Sequence, residues 1–132
     1  MRRILIVDDE PDMLDFLERV LRSGFEVLRA ANATEALEIL GRESVDAILT
    51  DQKMPRMSGL ELLEQTREMG LDVVRVILSG YADVLDVERA VAQCGLHHYA
   101  MKPIDSQRLR AVLEQAFENK AAGRTIAVEG LG

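Results

Sequence analysis

Several strand-like apolar runs in this chain stop at residues able to do chemistry. Asp8-Asp9 follow Ile4-Leu5-Ile6-Val7, Asp51 follows Ala47-Ile48-Leu49-Thr50, Ser79 follows Val76-Ile77-Leu78, and Lys102 follows Tyr99-Ala100-Met101. Three carboxylates drawn together repel one another, which makes their joint ionisation costly unless a divalent cation intervenes. Magnesium suits such a cluster better than zinc, because it takes hard oxygen ligands, keeps several waters and bridges carboxylates to phosphate. With the cation in place, one Asp51 oxygen coordinates it while the other attacks phosphorus to form an acyl phosphate. The cation and Lys102 then neutralise the transferring group, and the Ser79 hydroxyl donates to a phosphoryl oxygen.

These residues need a scaffold that gathers strand ends. Continuous apolar runs predict β1 over residues 3–7, β2 over 25–30, β3 over 45–50, β4 over 73–78 and β5 over 97–101, with Arg75 the one exception inside β4. Between them lie helical periodicities: α1 from Pro11 to near Ser23 with Gly24 as a left-handed cap, α2 over 33–40 behind an Asn32/Glu35 capping box, and α3 over 60–69. Helix α4 is expected over 82–94 and α5 over about 106–120, capped by Asp105 or Ser106. Strands alternating with single helices predict right-handed crossovers and a doubly wound α/β sheet. Ligands of such sheets bind at the carboxyl ends of the strands, where Asp8, Asp9, Asp51, Ser79 and Lys102 fall.

Composition narrows the classes. The 132 residues, 48% of them hydrophobic, suffice for one domain with one core. A net charge of -7, from 16 basic and 23 acidic residues, and the lack of a long Lys/Arg run argue against direct nucleic-acid binding. No apolar stretch approaches the roughly 20 residues of a membrane span, and Met1-Arg2-Arg3 leads straight into β1 rather than a signal peptide. A cytoplasmic location follows as the expectation. Cys94 reads as a buried, inert thiol, and the adjacent His97-His98 point to opposite faces of a strand and cannot easily share one ion.

Asp8-Asp9, Asp51 with Met54-Pro55 and Gly59 behind it, Ser79, and Lys102-Pro103, in this order, resemble the receiver domain of two-component response regulators. The resemblance implies a domain over residues 1–120, with 121–132 as a C-terminal tail or linker. It implies a flavodoxin-like (βα)5 fold with strand order 2-1-3-4-5, Asp51 as phosphoacceptor from a sensor histidine kinase or phosphotransfer protein, and a cis peptide before Pro103. By the same resemblance, Mg²⁺ is held by Asp8, Asp9, Asp51 and the main-chain carbonyl of Lys53. Ser79 and Tyr99 form a switch that changes the partners of the α4-β5-α5 face, which also offers a surface for a homodimer and for a downstream output domain or protein. The chain is then a signalling switch that catalyses only its own phosphorylation and dephosphorylation. Lys53 and Tyr81 flank the path of the hydrolytic water and are expected to set the lifetime of the phosphorylated state.

Other functions fit less well. A flavin-binding electron carrier shares the expected fold, but Asp8-Asp9-Glu10 would repel its phosphate. A phosphatase with an Asp nucleophile wants an acid two residues later, where this chain has Lys53. A receiver that binds partners without phosphorylation has no need of the full acidic set and Lys102.

Overall fold

Apolar runs that do not alternate with polar residues belong in strands covered on both faces. The computed structural model, which describes residues 1–80 and 84–124, places them there. Strands β1 (Arg2–Val7), β2 (Phe25–Ala30), β3 (Ala47–Thr50), β4 (Val74–Ser79) and β5 (His98–Met101) form one parallel sheet in the order β2-β1-β3-β4-β5. Leu5, Val7, Ile48, Ile77 and Tyr99 face one core with residues of α2 (Ala33–Leu40), α3 (Gly59–Glu68) and the segment after α4 (Val84–Arg89). Ile4, Ile6, Leu49, Val76, Leu78 and Ala100 face the other, under α1 (Pro11–Leu21) and α5 (Ser106–Ala121). Among the described residues, no helix is long and apolar enough to cross a membrane.

The helix ends carry most of the departures from the sequence-based expectation. Helix α1 stops at Leu21, Arg22 stays right-handed, and Gly24 does not take the left-handed conformation. Its N–H instead donates to the Leu21 carbonyl (3.0 Å), closing the turn without a positive φ. At α2 the Asn32 side chain accepts from the Glu35 N–H (2.9 Å), but the Glu35 carboxylate accepts from the Asn32 side-chain amide, so the reciprocal half of the expected box is made side chain to side chain. The full box lies at α3, where Ser58 and Glu61 each bond the other's backbone N–H. Asp105 caps α5 by accepting from the Arg108 N–H (2.7 Å). Helix α4 passes into a π-helical turn, Ala90–Cys94, which Gly95 ends with φ 63°. Its expected start at Ala82 lies outside the described residues, as does the tail from residue 125 onward.

Arg75 departs from the aliphatic pattern of β4 because it is held from several sides. Its Nε donates to Thr66 Oγ1 (3.0 Å), Nη1 to the Val73 carbonyl (3.3 Å) and Nη2 to the Leu71 carbonyl (2.8 Å). Its backbone N–H donates to His97 Nδ1 (2.9 Å), and the His97 carbonyl accepts from Asn119 Nδ2 (2.9 Å). Burial first, then the charges of Arg75 and Lys120, push His97 down to about 4, so the ring accepts as a neutral imidazole. This network ties α3, β4, β5 and α5 together near the strand starts.

Candidate functional site

The sheet order reverses between β1 and β3, and the strand ends flanking that switch point are where a parallel sheet opens a crevice. Val7 is level with Thr50, and Thr50 with Ile77. Asp8 and Asp51 are therefore each one residue past paired strand ends. Continuing the alternation of the strands puts Asp8, Asp51 and Lys102 on the parity of Ile6, Leu49 and Ala100, hence on one side of the sheet.

The side chains meet there. Lys102 Nζ lies 2.9 Å from Asp8 Oδ2 and 3.5 Å from Asp51 Oδ2. Both carboxylates are buried, Asp8 at 1% exposure and Asp51 at 7%, so the ammonium between them is poorly replaced by water. Asp8 Oδ1 accepts from the Glu10 N–H (2.9 Å), and Asp51 Oδ1 accepts from the Gln52 N–H (2.8 Å). Burial raises the Asp51 pKa above the ordinary carboxylate value; the Lys102 charge works against this and the Asp8 charge adds to it. Burial disfavours the Lys102 ammonium, yet the Asp8 hydrogen bond and the two carboxylate charges outweigh it, leaving the amine above its ordinary pKa.

Other expected site residues fall around this core. Ser79 ends β4 almost fully buried, and its carbonyl accepts from the Lys102 N–H (2.8 Å). The peptide between Lys102 and Pro103 is cis. Tyr99 is buried, pairs in register with Ile77 and shares a sheet face with it. Lys53 is exposed, and Tyr81 lies outside the described residues. Met54 packs into the core with Met57 against it. Cys94 is buried with a thiol pushed up to about 12, chiefly by burial, and its Sγ donates to the Leu60 carbonyl.

Asp8, Asp9 and Glu10 each offer an oxygen within 4.8 Å of the others. All three are hard oxygen donors, as Mg²⁺ or Ca²⁺ requires, and the group contains no His or Cys. Glu10 joins Asp8 and Asp9 in this group, and Asp51 is linked to Asp8 through the shared Lys102 ammonium. Composition could have suggested Glu10, since it continues the acidic run, but its reach depends on the turn that Asp8 Oδ1 stabilises. Gln52 was missed entirely, because its partners in α3 lie seven and eight residues along the chain.

The segment after Asp51 is shaped by close approach. A Cβ at Gly59 would collide with the Asp51 carbonyl oxygen, so only glycine lets α3 start against this strand end. Arg56 takes φ 72°, a left-handed conformation costing roughly 1–2 kcal/mol for a residue with a side chain.

Comparison with known proteins agrees with this geometry. The response regulator receiver domain family matches residues 4–114. Over 115 residues the chain is 42% identical to the hydrogenase transcriptional regulatory protein HoxA of Bradyrhizobium diazoefficiens, covering 87% of this chain and 24% of that protein. It is 30% identical over 120 residues to the sporulation initiation phosphotransferase F of Bacillus subtilis, covering 90% and 96% of the two chains. A CheY-like response regulator receiver domain protein of Methanospirillum hungatei superposes with a TM-score of 0.84 at 31% identity, covering 93% of this chain and 98% of that one. The chain thus spans about a quarter of the length of HoxA and nearly all of the shorter relatives. A family match that runs from β1 into α5, over a sheet of this strand order, means that the chain belongs to the response regulator receiver domains, the signalling switches of two-component systems.

Proposed function

We propose that Asp51 is the phosphoacceptor of this receiver domain. A sensor histidine kinase or a phosphotransfer protein presents phosphohistidine; an Asp51 oxygen forms the new O–P bond while the P–N bond breaks, and the imidazole leaves with the electron pair. The observation that carries this reading is the single ammonium of Lys102, held 2.9 Å from Asp8 and 3.5 Å from Asp51 at the closing end of the sheet. That ammonium is within reach of a phosphoryl oxygen on Asp51 and offsets part of the added charge. Burial keeps the Asp51 carboxylate more basic than usual, which favours its attack.

The oxygen-only donor set fits Mg²⁺. Asp8, Asp9, Asp51 and the Lys53 main-chain carbonyl are assigned to hold it, with Glu10 beside them, and when bound it supplies charge neutralisation for the phosphoryl group.

Ser79 and Tyr99 carry the output. The Ser79 hydroxyl turns toward the new phosphoryl group, and Tyr99, on the same sheet face one strand over, moves into the vacated volume. The α4-β5-α5 face then changes its partners, whether a downstream output unit or a second copy of the chain. Any transcriptional role suggested by the HoxA name requires segments beyond the part that this chain matches. The domain acts in the cytoplasm with no direct contact to nucleic acid or membrane, and works as a switch rather than a turnover enzyme. Lys53 and Tyr81 set how long the acyl phosphate lasts; an unchanged dephosphorylation rate after replacing both would remove them from that role.

The test is incubation with acetyl phosphate and Mg²⁺, followed by intact-mass measurement. Wild type gains one phosphate and Asp51→Asn gains none. Equal uptake by both, or steady turnover of an aryl phosphate, would overturn the assignment.

A further inference from the structure

An α-helix begins with backbone N–H groups that have no acceptor within the helix. At α3 three of them are taken up by nearby oxygens. The Gly59 N–H donates to the Gln52 carbonyl (3.0 Å), the Leu60 N–H to Gln52 Oε1 (2.8 Å), and the Glu61 N–H to Ser58 Oγ (3.1 Å). One residue, the one directly after Asp51, accepts two of the three. Gln52 is 8% exposed, so water is poorly placed to substitute for either bond.

The same residue also donates. Its N–H meets Asp51 Oδ1 at 2.8 Å, while the other oxygen, Oδ2, faces Lys102. On the far side of the peptide, the Asp51 carbonyl accepts from Thr50 Oγ1 (2.9 Å) and fills the space that a Cβ at Gly59 would need. Of the intervening residues, Lys53, Pro55 and Arg56 are exposed, while Met54 packs into the core. The orientation of the Asp51 carboxylate is thus set at the Gln52 peptide, and that peptide is fixed by its grip on α3.

We propose that Gln52 is a positioning residue: its side-chain and main-chain carbonyls bolt the peptide after Asp51 to the first turn of α3, and this aims Asp51 Oδ2 at Lys102. The proposal rests on the reading of Asp51 as phosphoacceptor. The residue type matters because the side chain must carry an acceptor at this length. Glutamate keeps the acceptor, methionine keeps the length without it, and asparagine falls one carbon short.

Time courses of acetyl phosphate uptake with Mg²⁺, followed by intact mass over a range of acetyl phosphate concentrations, test this on the whole chain. Gln52→Met is expected to lower the rate at saturating acetyl phosphate about tenfold with little change in the half-saturating concentration, as misaiming of a reacting group does. Gln52→Glu is expected to recover most of that loss. A Gln52→Met rate equal to wild type, or equal losses in Gln52→Met and Gln52→Glu, overturns the proposal. Should Gln52→Met fail to fold, Gln52→Asn takes its place with the same expectation. Amide hydrogen exchange at residues 52 and 60 reads the bolt without phosphate. If wild type takes no phosphate, the phosphoacceptor reading falls, and the bolt is then judged by exchange alone: faster exchange at both amides in Gln52→Met upholds it, and unchanged exchange overturns it.

Discussion

The two ends of the sheet both bury charge, and they do so by opposite means. Near the strand starts, Arg75 is surrounded by neutral acceptors: the Thr66 hydroxyl and the Leu71 and Val73 carbonyls. Near the strand ends, Lys102 is shared between two full carboxylates. The first arrangement satisfies the cation with groups whose charge does not change, so it fixes structure. The second leaves two like charges near one another with one amine between them, so adding or removing an anion or a proton rearranges it. Burial alone therefore does not mark a functional site; what marks it is charge whose balance is incomplete without something from outside.

Several substitutions would break or sharpen that contrast. The largest effect is expected from Asp51→Asn, which should abolish phosphate uptake by intact mass while leaving the fold at least as stable in urea, because a buried charge is removed. At the other end, Arg75→Met should do the reverse, costing about 2–4 kcal/mol in urea unfolding by stranding the Leu71 and Val73 carbonyls, with phosphate uptake retained. If Arg75→Met lost uptake while remaining folded, the two ends would not be separable.

Acid should also distinguish them. Folded His97 titrates near 4, below the ordinary 6.5, so as pH falls the unfolded chain binds that proton first. Stability from this residue is full above about pH 6.5 and falls progressively toward pH 4, by up to about 3 kcal/mol. Asp51, with its pKa raised chiefly by burial, binds its proton first in the folded state and so gains stability as pH falls through that raised value. Urea midpoints between pH 7 and 4 should show a shallower acid loss in His97→Gln and a steeper one in Asp51→Asn. The smallest effect is expected at the α3 cap, where Ser58→Ala should cost about 1 kcal/mol in urea unfolding, since Gln52 still serves the other two N–H groups.

What could be read from the sequence was whatever depends on local pattern. Residues 4–7, 47–49 and 76–78 announce buried strands because nothing polar interrupts them, and a strand end is a position, so Asp8, Asp51 and Ser79 follow from it, with Lys102 placed by the weaker run 99–101. The rest depends on partners distant in sequence. Arg75 interrupts the apolar pattern of β4, and only Thr66 and Leu71, beside its guanidinium in the fold, account for it. Gln52 carries no motif, since its significance comes from where α3 begins. Gly24 shows the converse error, a residue type that permits a left-handed cap in a turn that closes without one. The acidic trio was half legible: Asp8 and Asp9 from their place after β1, Glu10 only once the turn brought it round.

The contact between Gly59 and the Asp51 carbonyl has a genetic corollary. Every missense change of a glycine codon introduces at least a β-carbon, and at this position the space for one is already filled by backbone. A saturation library should therefore find codon 59 closed to all nineteen alternatives, with no gradation by size or polarity.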